Sequence, residues 1–273
     1  MSPSRAMWPR LHLFELLDQE WYPAPLRDHA TNYLATISQR MGIFDAAAPL
    51  LLRGLEAGGT DTVLDLGSGG GGPLPRLRDL LAREQGRQVR VVQSDLFPNA
   101  RARERALAAG AEYLAQPVDA TRVVPELRGM RTLFNAFHHV RPAAARAVLA
   151  DAQAKGVPIG VFEVIERTPR GVISSLFVPL LVLLFTPLIR PLTLPRLLLT
   201  YVLPWFPLAI FWDGLVSALR AHSPEELRRM TESLASEGYT WEVGEVSKPG
   251  KPPVTYVLGL PGARGDGASK TLL

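Results

Sequence analysis

Short, wholly apolar runs alternate with stretches of helical periodicity through the first 166 residues. Leu34, Ile37, Met41 and Phe44 recur at helical spacing, as do Leu51, Leu52 and Leu55, so residues 11–58 read as mostly helical. Gly58-Gly59 closes that region, and Thr62-Val63-Leu64-Asp65-Leu66 follows as a buried strand. The alternation continues with a helix over 74–84, a strand over 89–93, a helix over 99–109 and a short strand at 113–114. A strand over 131–135, a helix over 142–155 with Gly156 at its end, and a strand over 159–164 complete it. Strands buried on both faces give continuous apolar runs, and strand–helix–strand repeats build parallel sheets. The pattern predicts an α/β fold, a doubly wound sheet with helices on both faces.

Beyond Glu166 the pattern changes. Residues 172–189 form an 18-residue run without a charge and residues 197–212 a second of 16, joined by a connector that carries Arg190 and Arg196. A bilayer takes about 20 apolar residues of helix to cross. Pro179, Pro187, Pro204 and Pro207 interrupt the runs, and a hairpin would have to carry both arginines across. Three readings stay open: a lid over a lipophilic acceptor that also touches membrane, a buried cap or dimer surface, and a re-entrant or spanning hairpin. Ser223-Pro224-Glu225-Glu226 then starts a helix, with Ser at N-cap, Pro at N1 and acids in the first turn. Strands over 241–246 and 254–260 finish the sheet. The chain divides into an N-terminal helical cap (1–58), a core (59–170), an apolar insert (171–222), the end of the core (223–261) and a loose tail (262–273).

Charge narrows the partners. The 273 residues carry a formal net charge of +4, and the cations are 26 Arg and 4 Lys scattered without a dense run. A nucleic-acid surface calls for a clustered patch, so no nucleic-acid partner is expected. Cysteine is absent, which excludes disulfides and thiolate metal sites. No signal-like apolar run precedes Glu15, Asp18 and Glu20, and a cytoplasmic place, with peripheral contact to the inner membrane through 171–212, is the expectation. No metal-ligand spacing links the five histidines, so no metal is implied.

The chemistry starts at Asp65-Leu66-Gly67-Ser68-Gly69-Gly70-Gly71-Gly72. A glycine turn after a buried strand lets backbone approach a ligand closely, and amides there and at the next helix N-terminus point at it. Asp95 lies 24 residues after Gly71, past the second strand, where a carboxylate can accept from ribose hydroxyls. Asp119 lies another 24 residues on. Asp95 could instead cap a helix, and Asp119 could be an ordinary turn residue. The glycine spacing also satisfies a dinucleotide fingerprint, with Gly72 as its third glycine.

Val63 to Gly71, with Asp95 and Asp119 in order behind it, resembles the class I S-adenosylmethionine-dependent methyltransferases that act on small molecules. Leu133 to Val140, with its paired histidine, is similar to their fourth-strand segment, and Val161-Phe162-Glu163-Val164 to their fifth. The segments 14–23 and 212–220 also look like parts of a bacterial methyltransferase-like group. The resemblance covers 60–166 closely. It implies a Rossmann-like sheet of seven strands with the last antiparallel, and S-adenosyl-L-methionine as cofactor. Asp65 would hold the methionine end, which sets it apart from dinucleotide enzymes, where that position is usually apolar. Asp95 would meet the ribose and Asp119 the adenine, with Gly67, Ser68, Gly69, Gly71, Leu96, Ala120 and Asn135 completing the contacts. His138, His139, Glu163 and Tyr22 are the candidates for a base, with one of the two histidines facing the cleft. The implied activity is methyl transfer to O, N or C of a lipophilic small molecule. A cofactor-binding protein with another reaction, such as cyclisation, a membrane-surface scaffold, and a homo-oligomer all remain open.

Overall fold

The computed structural model describes residues 8–262. In chain order these form α1 (Ala24–Arg40), α2 (Ala48–Ala57), β1 (Thr62–Leu66), α3 (Leu74–Gln85), β2 (Arg90–Ser94), α4 (Ala100–Ala108), β3 (Glu112–Tyr113), β4 (Met130–Phe134), α5 (Pro142–Ala154) and β5 (Ile159–Glu163). Then come α6 (Pro169–Ser175), α7 (Val178–Phe185), α8 (Leu194–Leu197), α9 (Trp205–Arg220), α10 (Pro224–Glu232), β6 (Tyr239–Val246) and β7 (Val254–Pro261). The strands make one seven-stranded sheet in the order β3-β2-β1-β4-β5-β7-β6. β1 to β5 are parallel, and β7 runs antiparallel to both neighbours. This is the doubly wound α/β sheet, with its last strand antiparallel.

Successive strand residues face opposite sides, and the two faces are filled by different helices. Val63 and Phe162 point into one core with Leu51, Leu55, Leu77 and Leu81. Leu64 and Val161 point into the other with Val148, Leu149 and Leu227. The chain winds outward from β1 through β2 to β3, then in the other direction from β4 to β5. Ligands in open α/β sheets sit where that order reverses, beyond the carboxyl ends of the strands; here that is between β1 and β4.

Residues 11–23 depart from the expected helix. They run as turns and extended chain laid along α9. Their backbone groups find partners there and not in a helical ladder: the Leu11 amide donates to the Leu219 carbonyl (3.1 Å), and the Leu16 and Leu17 amides donate to the Asp213 carboxylate (2.6 and 3.1 Å). The Trp212 indole donates to the Phe14 carbonyl (3.1 Å). The predicted loose tail lies outside the described residues except for Gly262.

Among the described residues no single helix is long and apolar enough to cross a membrane. Two pairs of helices reach that length only when the members of a pair are joined, and the pairs bend by 42° between α6 and residues 178–188 and by 75° between residues 194–202 and α9. α1 joins this region to the glycine turn: Tyr33 packs edge-on against Phe206 at 5.8 Å, and the Asn32 amide donates to the Arg190 carbonyl (2.9 Å).

Candidate functional site

β1 ends at Leu66, and the chain turns through Gly67 to Gly72 into α3. Two of these positions disfavour a side chain, Gly70 by space and Gly67 by its backbone conformation. A β-carbon at Gly70 would meet the Thr31 carbonyl oxygen at 2.6 Å, so α1 closes on the turn only because that carbon is missing. One at Gly67, where φ is 66°, would lie 3.3 Å from Ala136, the first step toward the histidine pair. Gln93 fixes the turn by donating to the Gly71 carbonyl (2.6 Å), and Gln39 reaches from α1 to the Gly72 carbonyl (2.7 Å). Asp95 accepts from the Gly69 amide (2.8 Å) and the Phe97 amide (2.9 Å), so it ties the end of β2 to the turn. It caps no helix; Asn99 caps α4, accepting from Arg101 and Ala102. Ser68 Oγ and Gln93 Oε1 are buried beside the turn without a hydrogen-bond partner among the described residues. Buried polar atoms are ordinarily satisfied, and this pair leaves capacity for a polar ligand.

Asp65 lies beneath the turn, 1% exposed. Its Oδ1 accepts from Thr132 (2.8 Å), its register partner across β1 and β4. A β-carbon at Gly72 would stand 3.8 Å from Oδ2, so the carboxylate faces the underside of the turn. Burial pushes its pKa up to about 7; the Thr132 bond opposes that rise and the Asp95 charge adds to it. A cationic ligand group would favour the ionised form.

The second half of the site begins where β4 ends. Asn135 takes a left-handed conformation (φ 46°). Its amide donates to the Phe162 carbonyl (2.9 Å), and its side chain accepts from the Val164 amide (2.9 Å), pinning the turn to β5. Phe137–His139 is one 3-10 turn. Glu163, the last residue of β5, accepts from the Phe137 amide (2.7 Å) and lies 2.6 Å from His138 Nδ1. Burial works against the Glu163 charge, but His138 and the Phe137 amide hold its pKa below the usual range. Glu163 accepts from His138 Nδ1–H, which leaves Nε2 as the ring atom that can exchange a proton.

His139 stacks on His138 with ring centroids 4.3 Å apart. Its Nδ1 is 2.9 Å from Asp18 Oδ1, 3.5 Å from Glu15 Oε2 and 2.9 Å from an Arg220 nitrogen. It cannot donate to Asp18 and accept from Arg220 together. Burial lowers its pKa, yet the Asp18 bond and the charges of Glu15 and Asp18 outweigh burial and raise it, so the ring donates. Arg220 pairs with Glu15 (2.7 Å) and Asp18 (2.9 Å), and Ser217 donates to Glu15 (2.8 Å). Asp18, despite burial, is held well below the usual carboxylate range by His139 and Arg220. Arg220 thus stands against two acids, and the same acids favour the charged form of His139. Glu15, His138 and His139 offer ligand atoms within 4.8 Å of one another, but the Arg220 guanidinium already neutralises Glu15, and a metal ion would sit against it.

Of the candidates read from sequence, His138, His139 and Glu163 come together. Tyr22 is buried elsewhere: its charge and hydrogen-bond partners are Trp205, Asp213 and Arg27, and burial raises its pKa. Asp119 is exposed and accepts from the Thr121 amide (2.8 Å) and hydroxyl (2.7 Å) in a local turn. Leu96 is exposed beside Asp95, and Ala120 is half-buried beside Asp119. Glu15, Asp18, Thr132, Asp213 and Arg220 carry much of the geometry and were not singled out from sequence. A cavity of about 310 Å³ between α5 and β6, lined by Gln153, Leu234 and Tyr239 among others, opens at the amino ends of the strands, away from these groups.

No protein-family profile and no curated protein sequence matches the chain. Solved structures do. The fold is similar to that of the plantazolicin methyltransferase BpumL in complex with SAH, at TM-score 0.55 and 10% identity over 90% of this chain and 94% of that one. It is similar also to the O-methyltransferase NcsB1 from neocarzinostatin biosynthesis, in complex with S-adenosylmethionine and 2-hydroxy-5-methyl naphthoic acid (TM-score 0.51, 15% identity, 87% of this chain). A third is the mitomycin 7-O-methyltransferase MmcR (TM-score 0.50, 16% identity, 87% of this chain). The chain spans 58% of the length of each of the latter two. The likeness is one of fold, and the fold is that of the class I methyltransferases.

Proposed function

We propose that this protein binds S-adenosyl-L-methionine at the glycine turn and transfers its methyl group to a nucleophilic atom of a lipophilic small molecule. The observation that carries the reading is Asp65, a buried carboxylate under the turn with a raised proton affinity, in want of a cation. The α-ammonium group of the cofactor supplies one. The backbone of Gly67, Gly69 and Gly71 lies along the methionine end, with Ser68 Oγ as a further partner. Asp95, released from Gly69, takes the ribose hydroxyls, and Asp119 with Leu96 and Ala120 borders the adenine. Asn135 shapes the floor between the two halves. When bound, the cofactor supplies a methyl group already activated on its sulfonium, so the chain's task is to position the acceptor and exclude water.

His138 is the base, where the acceptor atom carries a proton. Its Nε2 accepts that proton while Glu163 holds Nδ1–H and stabilises the charged ring. His139, already paired with Asp18, packs against it. The acceptor reaches His138, which is 3% exposed, when the strap of residues 8–23 lifts from α9. The long apolar insert next to this opening favours a lipophilic acceptor. The test is transfer of labelled methyl from the cofactor, with a lipid extract as acceptor source, into an organic-soluble product. Incorporation that depends on His138 supports the reading; retention of the label in the cofactor, with the cofactor bound, contradicts it.

A further inference from the structure

Exposed apolar side chains are concentrated on one stretch of this molecule. Of the 26 large hydrophobic residues that are exposed among the described residues, 16 lie between Ile173 and Leu208. α7 is the clearest case. Its sequence, Val-Pro-Leu-Leu-Val-Leu-Leu-Phe, is apolar on every face, yet the protein buries only one stripe of it, at Val182. Leu180 (61% exposed) and Leu184 (63% exposed) face outward. A helix apolar all round belongs in an apolar medium, and a soluble monomer rarely leaves so large a patch open.

The polar groups of the insert are arranged for such a medium. Four of the five Ser and Thr hydroxyls in 171–212 donate to the carbonyl four residues back: Ser174 to Arg170, Ser175 to Gly171, Thr186 to Val182 and Thr200 to Arg196. The Tyr201 hydroxyl donates to the Leu183 carbonyl (2.6 Å), and Arg196 is buried with Nη1 on the Ile189 and Pro191 carbonyls, while Arg196 Nε and the Thr193 hydroxyl are buried without a partner among the described residues. In hydrocarbon such groups must be satisfied within the protein; at a wet surface water would serve. The charge pattern names the occupant. No acid lies in 171–212, while Arg170 just before it and Arg190, in the connector between its two apolar runs, are exposed. A second copy of the chain would bring these arginines together with no carboxylate of the insert to receive them. An anionic lipid surface complements both the apolar face and the arginines. Tyr201 and Trp205 are exposed on either side of Leu203, and amphipathic aromatic rings of this kind are common where a protein meets a bilayer surface.

We infer that residues 170–208 are a monotopic docking surface, with α7 and the segment around Leu203 lying in the plane of a bilayer, its apolar face among the acyl chains and Arg170 and Arg190 among anionic headgroups. The inference stands apart from methyl transfer and survives its failure.

Sedimentation with vesicles of phosphatidylcholine, and of phosphatidylcholine with phosphatidylglycerol, tests it. The protein is expected to pellet with both, more completely with phosphatidylglycerol. The Leu180→Asp/Leu184→Asp double variant changes only outward side chains and should keep its far-UV spectrum and melting temperature. It is expected to lose more than about tenfold in vesicle partition, and Arg190→Glu to lose the preference for phosphatidylglycerol. A wild-type protein that stays in the supernatant with both vesicles overturns the inference. So does a double variant that pellets like wild type, or a lipid-free dimer that the double variant converts to monomer.

Discussion

Asp65 has no cation beside it among the described residues, and its proton affinity gives the site a pH dependence of its own. Folding raises its pKa from 3.8 to about 7. Between those values the folded protein holds a proton that the unfolded chain has released, so the contribution to stability is fully present below 3.8 and lost as pH rises through 7. The melting temperature of wild type minus that of Asp65→Asn is expected to fall over that window, as measured by calorimetric scans at fixed ionic strength. For a ligand whose ammonium needs the carboxylate ionised, the sign reverses. Its affinity is expected to rise about tenfold from pH 6 to pH 8, and the rise to vanish in Asp65→Asn. Asp95→Ala removes the acceptor offered to the ribose and also the tie to the Gly69 amide. Hydrogen bonds to charged groups are worth about 1.5–3 kcal/mol, so a loss of affinity of about tenfold to a hundredfold is expected; unchanged affinity would leave Asp95 a turn residue. His138→Gln is expected to lower turnover by about a hundredfold to ten-thousandfold without changing cofactor affinity, read by single-turnover assays beside binding. The sequence marked the ends of β1, β2, β4 and β5, because strand periodicity and glycine spacing are local. It did not mark Glu15, Asp18 or Arg220, whose roles come from contacts some 200 residues apart.

At the scale of elements, the strap over residues 8–23 is the part that moves in this account. It has no ladder of its own and hangs on Asp213, which accepts from Leu16 and Leu17, and on Arg220, which reaches the Leu13 carbonyl (3.3 Å). Asp213→Ala removes two of these ties. The amides of residues 16 and 17 are then expected to exchange about tenfold to a hundredfold faster, measured by hydrogen exchange, while the strands of the sheet keep their protection. Equal protection in the variant would show that the strap is held by its side-chain packing. The helical reading of residues 11–58 rests on the spacing of Leu34, Ile37, Met41 and Phe44 and of Leu51, Leu52 and Leu55, none of which lies in the strap. Periodicity registers which residues seek burial and not where their backbone finds partners; Pro23 and Pro25 then start α1 afresh. The capping box at Ser223, by contrast, was legible since both partners lie within one turn.

The whole molecule joins a doubly wound sheet, whose reversal between β1 and β4 places a glycine turn beside a histidine pair, to an apolar insert. The sheet was legible from alternation alone, and its antiparallel last strand from the ordered motifs. The insert was legible as apolar and interrupted by proline, but its exposure was not, because composition is the same for a buried cap and an open face. The turn over Asp65 is where S-adenosylmethionine is proposed to bind. Titration calorimetry with S-adenosylhomocysteine, run at pH 8 on folded wild-type protein and on Asp65→Asn and Asp95→Ala, tests it most directly. Saturable one-to-one binding by wild type, weakened in both variants, is the predicted result. No heat of binding from folded wild-type protein, or equal binding by all three, would contradict it.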